Sequence, residues 1–149
     1  MIDPIILLFL SSGLFLGWAL GANDAANVFG TAVGTKMVSW RNAAIICSIF
    51  VVLGAVISGA GTSQTLGKLG AITALPGAFM TALSAGFSVF FMTKSGLPVS
   101  TSQAIVGAII GWNVFSNQAT DTSTLTKILG TWIICPLFCL LYTSDAADE

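Results

Sequence analysis

The chain has 149 residues, of which 55% are hydrophobic and 7% charged, with five basic and six acidic side chains and a formal charge of −1. Its mean hydropathy is +0.93. A soluble domain carries roughly 25% charged residues, so this composition excludes a water-soluble globule.

Long apolar stretches separate the charges, the pattern of membrane spans joined by short loops. The first stretch covers residues 4–21. It follows Asp3 rather than a basic region, and no small-residue cleavage site precedes a polar mature chain, so it is expected to stay in the protein. At roughly 1.5 Å per residue it crosses most of a hydrocarbon core about 30 Å thick. It runs directly into residues 21–34, GANDAANVFGTAVG, where polar groups arrive before any charged loop. A helix that turns polar in this way is expected to break or to line a cavity.

Lys36 and Arg41 flank Trp40 and read as a loop with an interfacial aromatic. Residues 42–59 form the second span. Residues 61–70, with Thr62, Ser63, Gln64 and Lys68, read as a polar turn. Residues 71–92 form the third span, interrupted by Pro76-Gly77 near its start and ended by Lys94. Residues 95–112, SGLPVSTSQAIVGAIIGW, have span length but carry Pro98 and Ser100–Gln103 in their first half. They are either a full crossing or a re-entrant hairpin of two half-helices of about nine residues each. With the N-terminus outside, Lys36, Arg41 and Lys94 fall inside. A hairpin places Lys127 inside as well, which the positive-inside rule prefers. Residues 125–138 then begin a span that is not completed.

The end of the chain, CLLYTSDAADE from Cys139, stops an apolar span in an acidic tail. It reads as the one-frame translation of a common sequencing-library transposon adapter, so residues 1–138 are taken as native and 139–149 as foreign. Without that tail the acids fall from six to three against five bases, and the charge moves from −1 to +2. Cys47, Cys135 and Cys139 lie in apolar stretches and form no CxxC pair, so they are expected to be small buried hydrophobes. Gly13, Gly17 and Gly21, with Gly30/Gly34 and Gly107/Gly111, recur every fourth residue, a spacing that lets helices approach closely in lipid.

Two polar clusters carry chemistry. A carboxylate inside an apolar stretch costs roughly 2.5–3.5 kcal/mol unless it meets a partner or water. Asp24 has no basic residue within a helical turn, so a bound cation is the natural partner. Asn23 and Asn27 are four apart and share a helix face, with Asp24 about 100° around. Carboxylate and amide oxygens suit Na⁺ or a proton, and Ala22, Ala25 and Ala26 leave room. The plainer alternative has the asparagines bonding helices together and Asp24 at the membrane edge. Ser100, Thr101, Ser102 and Gln103 follow Pro98, which cannot continue a regular helix. A half-helix starting there offers free N–H groups and a positive dipole end, to which hydroxyls add an oxyanion site. No lysine or arginine lies inside this segment, so an anion would be held by neutral donors and a co-bound cation. The alternative is hydroxyls that satisfy their own backbone.

Residues 21–34 closely resemble the signature of the inorganic phosphate transporter (PiT) family. Residues 96–113, GLPVSTSQAIVGAIIGWN, resemble its second signature, the P-x-S-T hairpin motif. The resemblance covers Met1 to about Phe138. It implies an all-α integral membrane fold: the N-terminal repeat of an inverted-repeat transporter, with about four spans, the last incomplete, plus a re-entrant helical hairpin. It implies secondary transport of phosphate coupled to Na⁺ or H⁺ in the bacterial inner membrane. On the matching positions, Asn23, Asp24 and Asn27 would line the ion and phosphate site, with Na⁺ at Asp24 the one metal ion considered. Ser100, Thr101 and Ser102 would contact phosphate from the hairpin tip. Gln103 stands where many members carry histidine, and an amide does not titrate. The partners implied are phosphate, the bilayer and a second repeat of the same protein, with a homodimer left open and no nucleic acid or cofactor.

Three rivals are weighed. The same fold could carry another oxyanion such as sulfate. An intramembrane enzyme would use Asp24 and Ser100, but the sequence contains no histidine to serve as base, and one aspartate is no dyad. A non-transporting scaffold would explain the glycines and leave Asp24 idle.

Overall fold

The computed structural model describes residues 3–70, 75–97 and 99–147, with residues 143–147 described by their backbone alone. Five α-helices follow one another: α1 (Pro4–Gly34), α2 (Trp40–Leu69), α3 (Leu75–Lys94), α4 (Thr101–Phe115) and α5 (Thr122–Ala147). Four are long and apolar enough to cross a membrane: α1, α2, α3 and the Thr122–Tyr142 part of α5. This is the all-α membrane architecture expected. Pro98, residues 71–74 at the start of the expected third span, and the last two acids of the tail lie outside the described residues.

The first helix runs 31 residues without a break, about 46 Å, so the expected interruption at Gly21 is absent. The GANDAAN segment contains no proline and three alanines. Its two most polar side chains, Asn23 and Asp24, bond elsewhere than to their own backbone, so nothing competes with the helix ladder. The expected polar turn at 61–70 is also helix as far as Leu69. Thr65 donates to the Gly61 carbonyl at 3.0 Å, and in lipid a backbone satisfied along its own helix is favoured over an open turn.

The helices' order in space comes from their contacts. Phe9 packs edge-on against Phe79, Phe15 against Phe87, and Trp18 against Phe90. Residue numbers rise together, so α1 and α3 run parallel, side by side. Helix α4 runs back: Trp112 covers Gly77, at the start of α3. Helices α3 and α4 are therefore the two arms of one hairpin over residues 75–115, and its tip lies level with Asn23, about three turns short of the end of α1.

That corrects the placement of the hairpin. Residues 95–112 were expected either as a full crossing or as two half-helices after a completed third span, whereas α4 is one helix of 15 residues. The third apolar stretch, long and apolar enough to span, is also the first arm of the hairpin, and residues 95–97, 99 and 100 lie at its tip. Lys94 sits at the tip, and its ammonium lies 5.7 Å from the centroid of Phe90. Lys127 starts α5 at the end of the bundle where α2 finishes, so the charge argument for its side falls. Helix α5 begins one turn earlier than expected and continues through Cys139 to Ala147.

The tip is built by its own residues. Gly96 takes φ +70°; Gly96 N–H donates to Thr93 O and Leu97 N–H to Met92 O, each at 3.0 Å. This is a left-handed helix stop for which glycine has no Cβ penalty. Ser100 then caps α4. At the other end Asp121 accepts from Ser123 N–H at 3.0 Å and from the Thr124 hydroxyl. The Thr124 bond is the main reason its carboxyl lies below the usual range.

The helix contacts are small and polar, as lipid requires in place of a hydrophobic drive. Buried positions include Ser12, Ala19, Asn23, Thr81, Ala85 and Asn113. Asn113, fully buried, donates to Leu69 O at 3.4 Å and to the Thr120 hydroxyl at 3.0 Å, tying the base of the hairpin to the end of α2. Leu69, Val106 and Ile109 form the apolar core there, flanked by Leu125 and Trp132 of α5. Elsewhere large apolar side chains face outward along α1, α2 and α5, a surface suited to lipid. Cys47 is half-buried and Cys135 exposed, so the cysteines are not core residues of these helices.

The glycines at four-residue spacing do not make the close approaches expected of them. A Cβ on Gly13, Gly17, Gly21, Gly30, Gly34, Gly107 or Gly111 meets nothing within 4 Å, because each faces away from the described neighbours. The close approaches are at Gly70, Gly77 and Gly86; at Gly86 a Cβ would lie 2.8 Å from the Phe15 ring and 3.4 Å from Leu16 Cα. Gly86→Val should therefore destabilise the α1–α3 seam by about 1–3 kcal/mol, while Gly107→Ala should be neutral or better. Thermal unfolding of both variants in detergent checks the contrast.

Candidate functional site

Asn23 is 4% exposed, although it sits on a helix whose outer face is open. Its side chain is buried by the hairpin tip. Its Nδ2 donates to Val99 O and to Asp24 Oδ1, each at 3.1 Å, and its Oδ1 accepts from the Thr93 hydroxyl at 3.3 Å. The amide orientation follows from the partners. Two are pure acceptors, so the NH₂ must face them, and the hydroxyl can serve the oxygen. One lone pair of Oδ1 remains unused.

Asp24 is exposed, beside this knot and on an adjacent face of α1. The amide of Asn23 is its one hydrogen-bond donor among the described residues. Asn27 lies one turn further along α1 and is exposed. The structure thus brings Asn23 and Asp24 together and leaves Asn27 outside their hydrogen-bonded group.

The second cluster stands at the start of α4. Ser100 is its N-cap, with Oγ 3.4 Å from Gln103 N, and Thr101 and Ser102 occupy its first turn. Ser100, Ser102 and Gln103 are exposed and Thr101 is half-buried. Polar side chains and the unpaired N–H groups of a first helical turn therefore meet at one helix end, one residue from the Val99 carbonyl that Asn23 holds. No described lysine or arginine bonds to either cluster. Such an arrangement can hold a cation with carboxylate and amide oxygens, and an anion with hydroxyls and N–H groups, at two adjoining places.

Sequence reasoning missed Thr93. It sits in MTKSG, a stretch read as a span ending in a loop. The available signal was a hydroxyl two residues ahead of Ser95-Gly96, in the last turn before a helix stop.

Four helices long and apolar enough to cross a membrane, with polar groups meeting where the hairpin tip reaches α1, define a multi-pass membrane protein. Comparison with known proteins narrows this. The model of the phosphate transporter family matches residues 20–144; the chain belongs to that family. It is 33% identical to a "putative phosphate permease" of Pyrococcus furiosus, over 91% of this chain and 35% of that protein. Similarly named proteins of Pyrococcus abyssi and Haemophilus influenzae are each 34% identical, over 91% and 84% of this chain and 36% and 32% of their own lengths. The chain thus spans about a third of the length of the curated relatives it matches. No solved structure matches it.

Proposed function

We propose that this chain is the N-terminal repeat of a secondary transporter that moves inorganic phosphate together with Na⁺ or H⁺. Asp24, with Asn23 and Asn27, takes the coupling cation. Ser100, Thr101 and Ser102 take phosphate at the start of α4, with Asn23 and Asp24 at the border between the two. A co-bound cation supplies the charge that the neutral anion cradle lacks, so each ion favours the other's binding. The chemistry is binding and release, with no bond made or broken and no catalytic residue. A second repeat completes the site.

The observation that carries this reading is the single amide of Asn23, which holds Asp24 on one side and the hairpin tip on the other at 3.1 Å each. The family and the names of its relatives support phosphate as the cargo.

The test is uptake of labelled phosphate by proteoliposomes holding the protein expressed from its complete reading frame. Uptake should require an imposed sodium or proton gradient, and excess unlabelled phosphate should compete where sulfate does not. Sulfate competing as well as phosphate would assign the fold to another oxyanion, and gradient-independent uptake would end the symport reading. The 149-residue chain alone should not transport, since it supplies one copy of each motif.

A further inference from the structure

Hydroxyls within these helices have a regular habit. Thr35, Ser48, Thr65, Thr81, Ser88 and Thr126 each donate to the carbonyl four residues earlier on their own helix. This is the ordinary way to satisfy a hydroxyl in lipid. Thr93 departs from it. Its hydroxyl leaves α3 and reaches Oδ1 of Asn23 on α1, 3.3 Å away. The amide it meets is buried, and both its donors are already engaged.

We propose that Thr93 is a positioning residue that locks the Asn23 amide between Asp24 and the Val99 carbonyl, so that a cation at Asp24 steadies the hairpin tip that binds the anion. Without the hydroxyl, Asn23 keeps its size and burial, but its oxygen loses the partner that fixes its rotation. A cation arriving at Asp24 draws on the same carboxylate that Asn23 Nδ2 contacts. Because Nδ2 also holds Val99, cation occupancy changes the restraint on residues 99 and 100, and through Ser100 on the first turn of α4. This rests on the transporter reading and adds to it the residue that couples the two ions.

The test uses the same full-length protein with Thr93→Val, which keeps the shape and removes the hydroxyl, and Thr93→Ser, which keeps the hydroxyl. Thr93→Val should raise the half-saturating cation concentration about tenfold and flatten the dependence of the phosphate KM on cation, alongside a lowered melting temperature from the buried oxygen left unpaired. Thr93→Ser should behave as wild type. A Thr93→Val protein with wild-type cation dependence overturns the proposal, as does equal impairment in both variants.

A second measurement does not depend on the variants folding. Hydrogen-exchange protection of the backbone amides of residues 97 and 99–103 in the wild-type protein, without phosphate and after correction for the intrinsic pH dependence of exchange, should rise in sodium relative to choline, or in acid buffer relative to neutral. Exchange indifferent to both cations overturns it. Wild-type protein that shows no coupled uptake defeats the transporter reading itself, whereas coupled wild-type uptake with a silent Thr93→Val defeats this inference alone.

Discussion

Asp24→Asn should abolish cation-coupled phosphate uptake while leaving the fold intact. The substitution is isosteric, and the new amide oxygen can still accept from Asn23 Nδ2, as Asp24 Oδ1 does at 3.1 Å. What is lost is the charge. Two unit charges 4 Å apart at an effective dielectric constant of about 20 interact by about 4 kcal/mol, on the order of a thousandfold in cation affinity. A cation that no longer binds at working concentrations cannot neutralise the anion in a cradle that holds no basic side chain. The variant should therefore melt with wild type and accumulate phosphate no faster than empty vesicles. Sodium- or proton-driven uptake at the wild-type rate would remove Asp24 from the mechanism.

The two halves of this site were unequally legible in the sequence. Asp24 and Asn23 stand out because polar groups in an apolar stretch are costly and few. Their neighbourhood on one helix follows from spacing alone. That Asn23 meets Val99, 76 positions away, does not, since no local pattern encodes which turn of α1 the tip will reach. Thr93 was hidden for another reason. A threonine in a membrane helix satisfies itself at no cost to the sequence pattern, so the one hydroxyl that reaches across looks like those that do not.

The fold was read at the right class with misplaced joints. Residues 61–69 were expected to turn because Gly, Thr, Ser and Gln turn in water. Without water to receive the backbone, the helix ladder is the better choice and α2 continues. Helix α3 was read as a span, and it is long and apolar enough to be one; its antiparallel packing on α4 is what no local pattern encodes. Lys94 then invited a loop assignment, whereas the helix stop at Gly96 and the contact with Phe90 hold it at the tip. Charge-based orientation is a weak guide when a lysine belongs to a hairpin tip.

Replacement of Asn23 should be worse than replacement of Asp24, and in a different way. Asn23→Leu keeps roughly the volume and removes both donors and the acceptor. It faces Val99 O and the Thr93 hydroxyl with an apolar group at a position only 4% exposed. A buried acceptor left unsatisfied costs about 1–3 kcal/mol. The Val99 carbonyl belongs to a tip whose other restraints are local, the Gly96 stop and the Ser100 cap. Losing it should therefore free the tip from α1 without unravelling the hairpin, whose base is pinned by Asn113 and Trp112. The expected result is a lowered melting temperature in detergent together with lost uptake, whereas Asp24→Asn loses uptake at unchanged stability. The pair separates a residue that holds the site together from one that supplies its charge. If Asn23→Leu melts with wild type and still takes up phosphate, the contact between α1 and the hairpin tip is incidental, and the cation and anion places communicate by some other route.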